Sequence, residues 1–232
     1  MPTCPACEST IPDPRRATVG HDHPSWPHQL NQLDDTPTQL YTEGNLDLLA
    51  EPRIGIIGSR AATMYGTHTA QALSSELVGR GYVIVSGGAF GIDAAAHRGS
   101  GGRTIVVLAD GLDRLHPTAH REMFKWIVDN GGLLLTEYRL GATVSRASFL
   151  NRNRIIAALS QGVIVVESAV RSGSMAMAMQ AVRLGRPLMA VPGPVTSMCS
   201  AGTHLLIRRD GAQLVTSSDD VVDYLESQGI RR

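Results

Sequence analysis

From residue 53 onward the hydrophobic positions of the chain alternate between two patterns. Short unbroken apolar runs read as strands buried on both faces: RIGIIGS (53–59), YVIVSGG (82–88), RTIVVLAD (103–110), LLLTEY (133–138), VIVVES (163–168) and RPLMAVPG (186–193). Between them lie segments with helical spacing: THTAQALSSELVGRG (67–81), IDAAAHRGS (92–100), TAHREMFKWIVDNGG (118–132), FLNRNRIIAALSQG (149–162) and SMAMAMQAVRLG (174–185). Several stop at Gly, as helices do. The stretch 204–227 adds a helix, a short strand and a last helix opened by Ser217 or Ser218. This alternation predicts an α/β fold. Its core is a Rossmann-like, doubly wound, mostly parallel sheet of at least about six strands with helices on both faces.

Upstream the pattern fades. Residues 1–24 are rich in Pro, Thr, Asp and His, show no period, and are expected to be a flexible tail. Residues 25–52 carry short apolar contacts separated by breakers, from Trp26-Pro27 to Gly44, and read as a lead-in to the main domain (25–232). No stretch approaches the roughly 20 apolar residues of a membrane span. The first residues lack the layout of a signal peptide, so the chain is expected to be soluble and cytoplasmic.

Composition changes this picture in three places. Aromatics are only 4%, so the core must be aliphatic. The formal net charge is zero, which by itself does not favour nucleic acid. The basic residues are nonetheless nearly all arginine, because Lys125 is the only lysine among 21. Arginine grips phosphate bidentately and stacks on bases, although a GC-rich coding composition produces the same bias. Three cysteines make no disulfide framework. Cys4 and Cys7, with His21 and His23, could supply four zinc ligands, but one CxxC with a tight His-x-His is an incomplete pattern. We expect no metal and no cofactor.

In an open parallel sheet, ligands bind beyond the carboxyl ends of the strands. Four such ends here are rich in Gly and Ser: Gly58-Ser59-Arg60 with Thr63 nearby, Ser86-Gly87-Gly88-Ala89 with Gly91, Ser172-Gly173-Ser174, and Pro192-Gly193-Pro194. Together on one rim they have the composition of an anion cradle. Phe149 beside Arg152, Asn153 and Arg154 could stack a base while the cations hold phosphates. Asp93 and His97, four apart, could be an acid–base pair, but a helix-face hydrogen bond that orients a loop is the more ordinary use. Glu167 could bind a ribose or a turn amide, and a buried structural use fits it as well. The dinucleotide pattern GxGxxG, a Walker A sequence and a nucleophile elbow are all absent.

In order along the chain, GSRAATMYG (58–66), SGGAFGIDAAAH (86–97), FLNRNRIIAALS (149–160), VVESAVRSGSMAMA (165–178), AVPG (190–193) and AGTHLLIRRDGA (201–212) resemble the successive signatures of the DprA/Smf family. The resemblance covers about residues 25–215, lead-in included. It implies a single-stranded DNA binder, not an enzyme, that helps load a RecA-type recombinase in DNA uptake or recombination and forms a homodimer. By motif position it implies Arg60 on a DNA phosphate, the SGGA turn in the same pocket, and Phe149, Arg152 and Arg154 on the strand-binding surface. Three departures stand out: Leu150 replaces a proline, Met177 a threonine, and His116 a tyrosine. The helical N-terminal and winged-helix-like C-terminal domains common in the family are not expected here, which suggests a minimal or phage-encoded form.

Two other functions share this fold. A phosphoribohydrolase of the lysine-decarboxylase-like (LOG) type would carry PGGxGTxxE, whereas Ser172-Gly173-Ser174-Met175 has no Glu on the following turn. The other is a nucleotide-sensing or partner-recruiting module. Dependence of affinity on oligonucleotide length separates a DNA strand from a free nucleotide.

Overall fold

A computed structural model describes residues 14–230. Nine strands in this range form one sheet: β1 (Arg16–Gly20), β2 (Gln39–Gly44), β3 (Arg53–Ile57), β4 (Val83–Gly87), β5 (Thr104–Val107), β6 (Leu133–Thr136), β7 (Gly162–Val165), β8 (Leu188–Ala190) and β9 (Gln213–Leu214). Seven α-helices cover it: α1 (Met64–Gly79), α2 (Ile92–Gly99), α3 (Arg121–Asp129), α4 (Arg146–Leu159), α5 (Gly173–Arg183), α6 (Ala201–Arg209) and α7 (Ser218–Ser227). The strand order is β1-β2-β6-β5-β4-β3-β7-β8-β9. Strands β3 to β9 run parallel, as the alternation predicts.

The strands alternate their side chains between two cores. Val83, Val85, Val163 and Val165 face one layer with α4 and α5. Ile84, Ile164, Ile54 and Ile56 face the other with α1, α2 and α7. Burial on both faces is why each parallel strand reads as a continuous apolar run. One cap sits where the sequence puts it, at the start of α7. Ser217 accepts the Asp220 N–H and forms a capping box at α7. The helix expected from Phe149 begins three residues earlier, at Arg146, because Ser145 caps it.

The chain enters the sheet earlier than the pattern indicates. Residues 16–20, read from sequence as part of the tail, form β1, and β2 lies inside the lead-in. Both are antiparallel at the sheet edge, with Val19 opposite Leu40. Only one face of such a strand is buried, so the apolar signal is halved. Cys4 and Cys7 lie outside the described residues. His21 packs on Trp26, and His23 Nδ1 accepts the Ser25 N–H. Among the described residues no helix is long and apolar enough to cross a membrane.

The topology defines where a ligand fits. The chain moves outward from β3 through β4 and β5 to β6, then returns to the other side of β3 for β7, β8 and β9. Loops after β3 and β7 therefore diverge to opposite faces and leave a crevice between them.

Candidate nucleic-acid interface

An open cleft of about 1000 Å³ occupies this switch point. Gly58, Ser59, Arg60 and Ala61 after β3 line it, as do Ala89 after β4 and residues 169–174 after β7. Helix α4 supplies Arg146, Phe149, Leu150, Arg152, Asn153 and Ile156. Spacings of three and four put most of these on one helix face. Arg60, Arg146 and Arg171 are exposed, whereas Arg152 is only 6% exposed. The Arg60 guanidinium carbon sits 5.0 Å from the Phe149 ring centroid, within cation–π range. Four arginines face one carboxylate, Asp93, among the lining residues.

Arg152 is the buried charge of the site. Its Nη1 donates to the Val107 carbonyl at 3.1 Å. The guanidinium lies against Gly87: a Cβ there would be 1.4 Å from Nη1. Burial lowers the Arg152 pKa, opposed by Asp93 and Asp110. Burial in turn raises the Asp93 carboxyl, opposed chiefly by Arg152 and the Ala89 N–H. Asp110, almost fully buried, is pushed up to about 7 by desolvation, and its carboxylate oxygens have no hydrogen-bond partner of normal geometry. Gly91 caps α2 at φ +75°, and a Cβ there would lie 2.2 Å from the Ser59 carbonyl oxygen, so the close approach of the two turns needs glycine.

The predicted residues divide. Gly58, Ser59, Arg60, Ala89, Phe149, Arg152, Asn153, Ser172, Gly173 and Ser174 line the cleft. Ser172 caps α5 by accepting the Met175 N–H, and Ser168, Ser172 and Ser174 form a hydroxyl cluster at 2.8–3.0 Å. Gly88 lines a smaller side pocket of about 110 Å³ with Phe90, His116 and Phe149. Met177 is a buried apolar part of the cleft wall.

Other predicted residues sit elsewhere. Ser86 is fully buried and donates to the Ile56 carbonyl at 2.6 Å. Gly87 is buried behind Arg152. Thr63 caps α1 by accepting the Gly66 N–H, and its hydroxyl donates to Glu167 Oε1 at 2.5 Å. Glu167 also accepts the Thr63 N–H at 2.9 Å, so its use is structural. Arg154 turns away to Glu137 (2.5 Å) and Asp35 (3.6 Å). Two residues on from Arg152 is 200° around a helix, so the two arginines cannot share a face. Pro192-Gly193-Pro194 lies outside the cleft lining.

Asp93 and His97 form neither an acid–base pair nor a helix-face hydrogen bond. His97 is fully buried, with Nε2 2.8 Å from the Gly87 carbonyl and Nδ1 2.8 Å from Thr104 Oγ1. Burial lowers its pKa to about 4, so the ring is neutral. The Gly87 carbonyl can only accept, which puts the proton on Nε2.

Arg146 and Arg171 were not among the predicted residues. Two signals in the sequence point to them. Arg146 lies three before Phe149 and seven before Asn153, on the same helical face. Residues 138–209 hold nine arginines and a single acid, the buried Glu167. The rest of the chain carries the compensating acidic excess, so a net charge of zero conceals a basic segment.

A doubly wound sheet with an arginine-lined, aromatic-walled cleft at its switch point defines a protein of the Rossmann-like α/β class. Comparison with known proteins carries this further. The chain belongs to the family described as DNA recombination-mediator protein A, whose model matches residues 17–226. A DprA relative from Mycobacterium tuberculosis is 45% identical over 195 residues, covering 82% of this chain and 50% of that protein. The chain thus spans about half the length of that relative. The structure of DNA processing protein A from Streptococcus pneumoniae superposes with a TM-score of 0.85 at 38% identity, covering 90% of this chain and 74% of that one. That of DNA processing protein A from Helicobacter pylori, described for its single-stranded DNA binding mode, gives 0.84 at 33% identity, covering 92% and 97%.

Proposed function

We propose that this chain binds single-stranded DNA in the cleft, holding the strand for a RecA-type recombinase and working as a homodimer rather than as an enzyme. The observation that carries the reading is the meeting of Arg60, Arg146, Arg152 and Arg171 with the Phe149 ring in one open cleft. Arginines neutralise successive phosphates, and an aromatic ring stacks a base whatever its identity. Gly58, Ser59, Ala89 and the Ser172–Ser174 turn bring backbone and hydroxyl donors to the same phosphates. The side pocket containing Gly88 and Phe90 adjoins the stacking ring. Gly91 acts indirectly, by shaping the Ser59 turn. The H. pylori relative described by its single-stranded DNA binding supports the same ligand here.

The test is affinity as a function of oligonucleotide length. Binding should tighten from mononucleotide to oligomer and weaken with salt in proportion to the phosphates held. A phosphoribohydrolase-type site would saturate with a mononucleotide and release its base. Saturation at one nucleotide would overturn the DNA reading.

A further inference from the structure

The same rim carries a second surface that the cleft does not use. Met64 is 91% exposed, Val195 89%, Met198 76% and Tyr65 45%. They belong to two segments, the start of α1 and the loop between β8 and α6. The segments touch at two points. The Tyr65 hydroxyl donates to the Pro192 carbonyl at 2.7 Å, and Cys199 Sγ lies 3.9 Å from the Ala61 carbonyl. Ala61 itself lines the cleft beside Arg60. The Cys199 carbonyl also accepts the Ser168 N–H at 2.7 Å, which ties this loop to the strand end leading to Arg171. These contacts hold the two apolar segments together beside the cleft residue Ala61, as a shelf next to the cleft.

Large apolar side chains this exposed, gathered in one place, mark a surface that something covers. Its position beside the cleft is one indication of what does. Charge is the other: neither residues 58–75 nor residues 168–209 contain an Asp or Glu, so a polyanion crossing the shelf meets no carboxylate from these segments. Methionine adapts its shape to whatever flat group arrives, and a tyrosine ring anchored through its hydroxyl is already ordered for stacking.

We propose that the shelf is a second base-binding subsite for the strand held in the cleft, with the bases beyond the Arg60 phosphate resting on Met64, Tyr65, Val195 and Met198. The assignment rests on the cleft being a single-strand site. The probe is oligodeoxythymidylate of about 4 to 16 nucleotides, with and without abasic residues, measured by fluorescence anisotropy. The variant is Met64→Ser with Met198→Ser, two exposed positions whose change leaves the core intact. The variant should bind the longest strand about tenfold more weakly than wild type and the shortest strand equally well. Abasic residues outside the cleft should weaken wild type by a similar factor and leave the variant unchanged. Arg60→Ala is the control for the cleft and should weaken all lengths. If the double variant binds long strands like wild type while Arg60→Ala does not, the shelf assignment is overturned and the patch belongs to a protein partner. If Arg60→Ala also binds like wild type, the cleft reading itself falls. Equal losses at every length in the double variant would also overturn the shelf, since they would place its effect inside the cleft.

Discussion

Gly87→Ala tests how the buried charge of the cleft is held. The new Cβ would lie 1.4 Å from Arg152 Nη1, 2.3 Å from Cζ and 2.6 Å from Nη2. Ordinary contact needs separations of about 3.5 Å, so the guanidinium must retreat by roughly 2 Å. A retreat of that size breaks the 3.1 Å bond from Nη1 to the Val107 carbonyl. Losing that charge-assisted bond and overpacking a buried site together cost about 2–4 kcal/mol. For a domain of this size the loss should lower Tm by about 5–15 °C. Single-stranded DNA affinity, measured below the new Tm, should fall as well, because the Arg152 charge is displaced from the cleft. Arg152→Met separates this account from a general dislike of side chains at residue 87. If the clash with Arg152 is the cause, Gly87→Ala should cost much less stability in the Arg152→Met background than in wild type. Additive losses in the double variant would refute the reasoning, as would a Gly87→Ala protein with wild-type Tm.

Four further outcomes follow from the structure. Arg60→Ala should weaken single-stranded DNA binding by about 1–3 kcal/mol and reduce the salt slope by about one phosphate, with Tm unchanged because the side chain is exposed. Phe149→Ala should lose about 1–3 kcal/mol of binding through stacking and leave the salt slope in place; a fall in binding that only tracks unfolding would deny the stacking role. Thr63→Ala should cost about 1–2 kcal/mol of stability through the lost α1 cap and Glu167 contact, read by denaturant melts, while DNA affinity of the folded protein stays the same. Burial pushes the folded pKa of Asp110 up to about 7 from the usual carboxylate value of 3.8, so its favourable protonated state is fully present below about pH 4 and is lost as pH rises to 7. Asp110→Asn should therefore gain roughly 2–4 kcal/mol over wild type above pH 7 and nothing near pH 4, and an equal difference at both would refute the assignment.

Much of the fold was legible because the parallel strands are buried on two faces. Val83, Ile84 and Val85 must all be apolar, whichever core they meet. The edge strands were less visible, since β1 shows only Val19 to the core. The cleft was legible where a strand end and its turn form the wall, as at Gly58-Ser59-Arg60. It was less legible where a polar residue finds a partner inside the protein. Ser86 bonds the neighbouring strand, and Thr63 meets Glu167 across 104 positions of sequence. Arg154 could have been set apart from Arg152 by helix geometry alone. Arg146 and Arg171 could have been found from the acid-poor stretch 138–209.

The sequence by itself determined the order of strands and helices from β3 onward, the Ser217 cap of the last helix, and the Gly- and Ser-rich turns at the strand ends. These depend on local propensity and burial period, which act over a few residues. Only the tertiary structure decided which turns share a cleft, because β3 and β7 become neighbours through a crossover more than a hundred residues long. It also decided which polar side chains remain free for a ligand. A hydroxyl or guanidinium at a strand end serves whichever partner the packing brings within about 3 Å, and that partner is set by the fold rather than by the chain on either side.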